Sequence, residues 1–408
     1  MKCRHCHSDL VLPVVDLGTA PRSNAYLGSQ SLREPETWFP LRVLVCEQCW
    51  LVQTEDFARP DELFGADYAY FSSFSASWLA HCERYVADMV QRFGLDEKSH
   101  VVEVAANDGY LLDFVKARGI PCTGVEPTAG TAAVARAKDL NIVEEFFGVR
   151  LARELAARGQ SANLTAANNV LAHVPDINDF VAGFAILLKP QGVATFEFPH
   201  LLRMMAENQF DTIYHEHYSY LSLAAVQLIF AANGLRLFDV QELSTHGGSL
   251  RVFAQRNDTG KQPIDDHVRL LLKQEEDAGI GTAAYYADFQ VRAEKVKDDF
   301  STFLINAKRS GKMVAAYGAA AKGNTLMNFA GVRSDLIRYV VDKNPAKQGK
   351  FMPGSRIPIM DPRVLLEQRP DYLVILPWNI AAEVRQQNEW LAKLGTKFVK
   401  AVPRLEMS

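Results

Sequence analysis

Val101-Val102-Glu103-Val104-Ala105-Ala106-Asn107-Asp108-Gly109-Tyr110-Leu111-Leu112 is the stretch on which the fold turns. Its short apolar run, Val101, Val102 and Val104, reads as a buried strand. A turn of small residues, Ala105 to Gly109, follows, and Leu111-Leu112-Asp113-Phe114-Val115 has the apolar spacing of a helix. Strand, tight turn and helix make the first nucleotide-binding unit of a doubly wound α/β domain. Further on, Thr123-Gly124-Val125-Glu126 reads as a second strand ending in a carboxylate, placed to hydrogen-bond a ribose diol.

The alternation continues outward from this unit. A short strand near Asn141–Val143, a strand at Leu164–Ala167, a helix at Ile177–Leu188 and a strand at Val193–Phe198 follow, with Pro190-Gln191-Gly192 as a turn. Leu235–Glu242 and Ser249–Gln255 pattern as a strand pair. Five α/β units closed by an antiparallel pair suit a class I methyltransferase sheet better than a dehydrogenase. The Gly-x-Gly-x-x-Gly fingerprint that a dinucleotide pyrophosphate needs is absent after the first strand. S-adenosylmethionine has no phosphate, so the Ala105–Gly109 turn suffices for it.

At 408 residues the chain exceeds one ordinary domain, and two or three are expected. A net charge of −4 offers no electrostatic case for nucleic acid or an anionic membrane. No apolar run reaches membrane-spanning length and the first residues carry no apolar h-region, so a cytoplasmic protein is expected. Nothing requires a partner chain, and a monomer is compatible with the sequence.

Cys3-Arg4-His5-Cys6 and Cys46-Glu47-Gln48-Cys49 repeat one Cys-x-x-Cys spacing, about forty residues apart. Four thiolates are the ligand set of a closed, structural tetrahedral zinc site. The segment between the knuckles forms its own lobe, and zinc is expected to serve folding and not chemistry. A redox pair is the weaker alternative, because no thioredoxin-like βαβ pattern surrounds either copy. Asp67-Tyr68-Ala69-Tyr70-Phe71-Ser72-Ser73-Phe74-Ser75 precedes an amphipathic helix, Ala76–Phe93. It is either a capped helix start, with Ser75 as N-cap, or a lid over a ligand.

Ten histidines serve the whole chain, and two of them flank one glutamate in Tyr214-His215-Glu216-His217-Tyr218-Ser219-Tyr220. A merely polar loop is one account of this block. A metal site is disfavoured, because His215 and His217 lack the i, i+4 spacing of a metal-binding helix. General acid–base chemistry is favoured, since histidine titrates near neutrality and a carboxylate can orient it. Charged helices at Val268–Glu276 and Ala284–Leu304 read as a linker pair. Lys312 to Thr325 then opens a second strand–turn–helix unit, with Gly318, Lys322 and Gly323 in the turn. Arg338-Tyr339-Val340-Val341-Asp342 and Asp371–Leu376 are further strands, giving a second, smaller Rossmann-like domain. An anionic group such as a diphosphate suits that helix N-terminus, with an ordinary βα turn as the alternative.

With these residues in hand, the chain resembles the sugar C-methyltransferase family over essentially its full length. Its most specific blocks are Tyr214–Tyr220, His246-Gly247-Gly248-Ser249-Leu250-Arg251 and Gly318-Ala319-Ala320-Ala321-Lys322-Gly323. The resemblance implies a zinc-binding domain over residues 1–62, an S-adenosylmethionine-binding methyltransferase domain over 63–257 and a Rossmann-like nucleotide-sugar-binding domain over 258–408. It implies methyl transfer from S-adenosylmethionine to a ring carbon of a nucleotide-linked 4-keto deoxysugar, typically dTDP-linked, C-3 being favoured over C-5. His217 is then the base, accompanied by Tyr214 and Glu216. Tyr70, Ser72, Glu103, Asn107, Gly109, Glu126, Phe146 and Asn168 form the cofactor pocket, with Phe146 or Phe147 packing the adenine. His173, His215, His246, Lys322 and Asn324 meet the acceptor, and Cys3, Cys6, Cys46 and Cys49 hold zinc. One departure is the Ala105-Ala106 pair, where family members often carry Gly or Ser. The competing functions are an NAD-dependent nucleotide-sugar oxidoreductase or epimerase, which the missing glycine fingerprint opposes, and a non-catalytic zinc-stapled binding protein.

Overall fold

The computed structural model describes residues 1–57 and 71–408. Tyr70 and the expected boundary at residues 62 and 63 lie outside the described residues. Between the cysteine knuckles run two antiparallel strands, β1 (Leu12–Ala20) and β2 (Phe39–Val45), and just after the second knuckle β3 (Val52–Thr54) adds antiparallel to β2. The sequence pointed to a lobe here but not to its strands, because Pro13, Gly18 and Pro40 interrupt the apolar alternation.

The central layer is parallel: β4 (Val101–Val104), β5 (Cys122–Val125), β6 (Ile142–Val143), β7 (Ala162–Asn168) and β8 (Leu188–Pro199). All of β4 is buried, as in a strand covered on both faces. The turn expected at Pro190–Gly192 survives as an irregularity inside β8, where Ala162 pairs with Leu188 but Leu164 with Val193. β9 (Ser219–Tyr220) leaves this layer and pairs with β3, becoming the fourth strand of the N-terminal sheet. β10 (Leu235–Leu243) and β11 (Ser249–Arg256) close the central sheet in the order β10-β11-β8-β7-β4-β5-β6, β11 being antiparallel to both neighbours. That is the class I methyltransferase sheet the sequence pointed to.

The C-terminal sheet repeats the plan. β12 (Val314–Tyr317), β13 (Val340–Val341), β14 (Ile359–Met360), β15 (Tyr372–Ile375) and β16 (Lys397–Lys400) are parallel, and β17 (Glu406–Met407) is an antiparallel edge. Its order is β14-β13-β12-β15-β16-β17. Each parallel sheet reverses its order beside its first strand, between β4 and β7 and between β12 and β15. Ligands bind in such sheets at the crevice this reversal opens beyond the strand ends.

Helix boundaries follow local chemistry. Ser75 caps the helix Ala76–Phe93, its hydroxyl accepting the Trp78 amide at 3.3 Å, and Gly94 ends it at φ 61°. The helix expected at Ala284–Leu304 is instead a 3₁₀ turn, Ala283–Tyr286, followed by Phe289–Arg309. Tyr286 explains the break: its hydroxyl donates to the Ile280 carbonyl at 2.8 Å while its ring stacks on Trp50 at 6.2 Å. The helix Asp266–Ala278 is more than a linker. Its buried Glu275 accepts the Leu223 and Ala224 amides (2.6 and 2.8 Å) that open the helix Leu223–Ala232, and it bonds His200 at 2.7 Å. Among the described residues, no helix is long and apolar enough to cross a membrane.

Candidate active site

The turn after β4 is tied by the acid that ends β5. Glu126 accepts the Asn107 amide on Oε2 and the Thr128 amide on Oε1, both at 2.9 Å. These bonds hold Ala105 and Asn107 at φ 61° and 49°, backbone that costs non-glycine residues energy and gathers at functional sites. Asn107 Oδ1 accepts the Ser72 amide at 2.9 Å, and the Asp108 carboxylate accepts the Ser73 hydroxyl, so the Ser72–Ser73 turn folds onto the strand end. Asn168 ends β7, and its buried Oδ1 has no hydrogen-bond partner. Phe146 stands 52% exposed, whereas Phe147 packs on Phe184 at 4.7 Å.

Opposite this turn stands the histidine block. His217 Nδ1 faces the Thr212 carbonyl at 2.9 Å. A carbonyl only accepts, so Nδ1 carries the proton and Nε2 presents a lone pair. The Tyr214 hydroxyl donates to that lone pair at 2.7 Å. His173 meets the His217 ring edge-on at 4.6 Å and donates its Nδ1–H to the Glu216 carbonyl at 2.7 Å. Burial, with His173 beside it, holds His217 well below the ordinary histidine range, and burial lowers His173 to about 4. Both rings are therefore neutral near pH 7.

His246 sits at φ 56° with its ring edge-on to Trp78 at 5.4 Å, and burial lowers it to about 4. Its turn hangs from Glu197 of β8, which accepts the Thr245 hydroxyl (2.9 Å) and Arg251 (3.1 Å) and pairs with His81 at 2.9 Å. From the C-terminal sheet, Lys322 lies 4.4 Å over the Trp378 ring and donates to Asn379 at 2.9 Å. Trp378 Nε1 donates to Asp211 at 2.7 Å, and burial lifts that carboxyl to about 6. Asp342 latches the C-terminal turn as Glu126 latches the first. Its Oδ2 accepts the Ala319 amide (2.7 Å) and its Oδ1 the Asn344 amide (2.8 Å).

These elements enclose one cleft of about 1790 Å³, counted out to its open mouth. Ser72, Asn107, Glu126, Phe146 and Asn168 line one part of it, and His173, Tyr214, His217, His246 and Lys322 the other. The other described residues expected in the two ligand pockets lie behind the wall. Glu103 is fully buried within β4, which pushes its carboxyl well above the usual range. Gly109 serves packing: at φ 78°, a Cβ there would lie 2.3 Å from Leu140 Cδ1. His215 donates to the Pro40 carbonyl at 3.0 Å and edges Phe39, anchoring the N-terminal lobe and not reaching the cleft. Asn324 donates to the Ser23 carbonyl at 2.6 Å. Glu216 accepts the Asn24 backbone and side-chain N–H at 3.3 and 3.2 Å. Asn24, Trp78 and Lys347 also line the cleft, and sequence reasoning missed them. Lys347 follows the acid-ended strand β13, a signal available in the sequence; Asn24 carries none.

The four cysteines converge as expected. Their sulfurs lie within 4.8 Å of one another, Cys3 and Cys49 at 3.5 Å and Cys6 and Cys46 at 3.4 Å. Zn–S bonds of about 2.3 Å in a tetrahedron require sulfur separations of about 3.8 Å, so the cluster fits zinc. Gln53 Nε2 and the Gln48 amide each donate to a cluster sulfur at 3.4 Å, which favours thiolates. The same lobe holds the histidine block: the Thr54 hydroxyl donates to the His217 carbonyl at 2.9 Å and the Thr54 amide to the Tyr218 carbonyl at 3.1 Å.

Three family profiles match the chain: a zinc binding domain at residues 3–64, a methyltransferase domain at 78–240 and a C-methyltransferase C-terminal domain at 244–403. The C-methyltransferase NovU of Streptomyces niveus is 35% identical over 402 residues, 98% of this chain and 95% of that protein. Magnesium protoporphyrin IX methyltransferase from Synechocystis PCC 6803, solved with bound SAM, aligns with 44% of this chain and 79% of its own at 17% identity and a TM-score of 0.34. A Burkholderia thailandensis 1,6-didemethyltoxoflavin-N1-methyltransferase aligns with 51% of this chain and 96% of its own at 15% identity and a TM-score of 0.37. Because the match to a curated relative runs from the cysteine knuckles through both parallel sheets, the chain belongs to the S-adenosylmethionine-dependent C-methyltransferase family.

Proposed function

We propose that the acceptor is a nucleotide-linked 4-keto deoxysugar, with dTDP the favoured carrier and C-3 favoured over C-5. The observation that carries this reading is the placement of His217. Its Nε2 lone pair, fixed by Nδ1–H on Thr212, lines the same cleft as the turn at Asn107 and the cation of Lys322. A neutral, buried imidazole lining this cleft suits removal of a proton from carbon beside a ketone, a step for which a positioned base contributes roughly 10²–10⁴-fold.

S-adenosylmethionine, when bound, supplies an electrophilic sulfonium methyl. Asn107, Glu126 and Asn168 would hold it at the β4–β7 crevice, Phe146 at the mouth would cover the adenine, and Ser72 would close the methionyl end. The partly filled hydrogen-bonding capacity of Glu126 and the unpartnered Oδ1 of Asn168 fit that load. His217 takes the acceptor's α-proton on Nε2, and the Thr212 carbonyl steadies the imidazolium that forms. The Tyr214 hydroxyl, turning from Nε2 to the acceptor, donates to the enolate oxygen. His173 keeps the base's ring edge fixed. Lys322 and the amides after β12 receive the diphosphate, with His246 beside them. The zinc site supports folding. Family membership sets aside the NAD-dependent oxidoreductase or epimerase and the non-catalytic binding protein.

Mass spectrometry of incubations with a panel of 4-keto nucleotide-sugars and methyl-labelled cofactor tests the proposal. The expected product gains one labelled methyl on ring carbon. Label on oxygen or nitrogen, or acceptance only of acceptors lacking a nucleotide, would overturn it.

A further inference from the structure

The N-terminal lobe does more than bind zinc. After β1, its chain runs as an arm into the C-terminal domain. The Leu27 and Phe351 backbones exchange hydrogen bonds at 3.0 and 2.8 Å, and Gly354 donates to Glu36 at 2.7 Å. Asn324 holds the Ser23 carbonyl at 2.6 Å, and the Tyr26 hydroxyl donates to the Ala319 carbonyl at 2.6 Å. Between these anchors lies Asn24, which lines the cleft.

Asn24 is held by Glu216. Its backbone N–H and its Nδ2 both donate to Glu216 Oε1, at 3.3 and 3.2 Å. The Nδ2 bond fixes which way the amide points, and it leaves one Nδ2 proton without an assigned acceptor. Glu216 itself does not line the cleft; it lies behind Asn24, buried, with Oε2 unpartnered. Glu216 precedes the proposed base, whereas Tyr26 bonds the turn after β12. Asn24 thus stands between the two groups that the acceptor must span.

We propose that Asn24, delivered by the zinc-binding lobe, is an acceptor-binding residue of the active site. Its side-chain N–H donates to an oxygen of the sugar between the base His217 and the turn at Gly318–Gly323. Glu216 acts through Asn24, as a positioning residue that aims the amide. The inference rests on the reading that a nucleotide-linked sugar spans this cleft.

The test uses the full-length, zinc-loaded protein, with kcat and KM measured on the acceptor that the wild type methylates and S-adenosylhomocysteine binding followed by calorimetry. Asn24→Ala is expected to lower kcat/KM for the acceptor about 10–100-fold and leave S-adenosylhomocysteine binding within twofold. Glu216→Ala is expected to fall similarly. Glu216→Gln, whose carbonyl still accepts the Asn24 N–H, is expected to recover most of the loss. The double variant Asn24→Ala/Glu216→Ala is expected to be no worse than either single one, since one removes what the other positions. If Asn24→Ala also loses cofactor binding, Asn24→Leu decides: it keeps the side-chain volume and the backbone N–H to Glu216, adds no charge beside that carboxylate, and removes the amide donor. Wild-type kcat/KM in Asn24→Ala or Asn24→Leu, or losses that multiply in the double variant, would overturn the proposal. A wild type that methylates no keto nucleotide-sugar would instead sink the reading of the acceptor.

Discussion

Gly247→Ala isolates the packing that holds Lys322 over the cleft. Gly247 lies at φ +93°, where an added Cβ would fall 2.3 Å from Trp378 Cη2, 2.7 Å from Cζ3 and 3.0 Å from Gln209 Nε2. Backbone strain in this region costs roughly 1–2 kcal/mol. Overpacking adds roughly 1–3 kcal/mol, because Trp378 must move. Moving it strains the 2.7 Å bond to Asp211 and shifts the ring on which Lys322 rests at 4.4 Å. Gly94→Ala is the control: φ is +61° and nothing lies within 4 Å of its Cβ, so it carries the backbone cost alone. Thermal melting should therefore separate the two variants by the overpacking difference, at about 2–4 °C per kcal/mol for a unit of 150–250 residues. Steady-state kinetics should show the acceptor KM of Gly247→Ala raised about tenfold or more, with S-adenosylhomocysteine affinity unchanged. If Gly247→Ala melted with Gly94→Ala and kept its acceptor KM, the Asp211–Trp378–Lys322 stack would have no role in the site.

Other consequences follow from the same geometry. His217→Ala should retain S-adenosylhomocysteine binding and lose about 10²–10⁴-fold in methyl transfer, and near-wild-type turnover would disprove the base assignment. Because burial lowers His217, the acid limb of kcat should lie below pH 6.5; a limb at or above that value would contradict a neutral base. His173 and His246 are lowered to about 4, so the folded state binds fewer protons than the unfolded chain between about pH 6.5 and 4. Stability supported by these rings should thus be present at neutral pH and fall as pH drops through that window, partly offset by Asp211, which is raised to about 6 and stabilises toward acid. Denaturant melts at pH 7, 6 and 5 measure the net slope. Chelation of zinc, or Cys46→Ala, should cost methyl transfer as well as folding, because Thr54 of the zinc lobe holds the His217 and Tyr218 carbonyls. A zinc-free variant that stays folded and fully active would refute this coupling. Ala105→Gly should raise stability by about 0.5–1 kcal/mol in denaturant melts, because at φ 61° it relieves roughly 1–2 kcal/mol of left-handed strain against roughly 0.5–1 kcal/mol of added chain entropy.

Period and spacing carried much of this protein into view. The apolar run at Val101–Val104 announces a buried parallel strand because both its faces are covered, and a strand so covered needs no polar alternation. Two Cys-x-x-Cys knuckles announce zinc, since ligand type and number are local properties. The acids ending β5 and β13 are likewise legible, each standing where a second strand of a Rossmann-like unit turns. The N-terminal strands were not, because Pro13, Gly18 and Pro40 break their pattern and β9, their fourth member, comes from a block more than a hundred and sixty residues later.

What only the tertiary structure decided is which residues of each motif face the cleft. Side-chain direction depends on contacts that no local pattern encodes. In the block Tyr214–His217, Pro40 and Phe39 turn His215 outward into the N-terminal lobe, while the Thr212 carbonyl turns His217 inward and selects its tautomer. Glu216 is set back behind Asn24, a residue brought in from nearly two hundred positions away. The sequence by itself determined the folds, the metal ligands and the chemical groups in play. Long-range packing determined their aim, because an arm, a strand and a latch from three separate segments must close before any of them points at an acceptor.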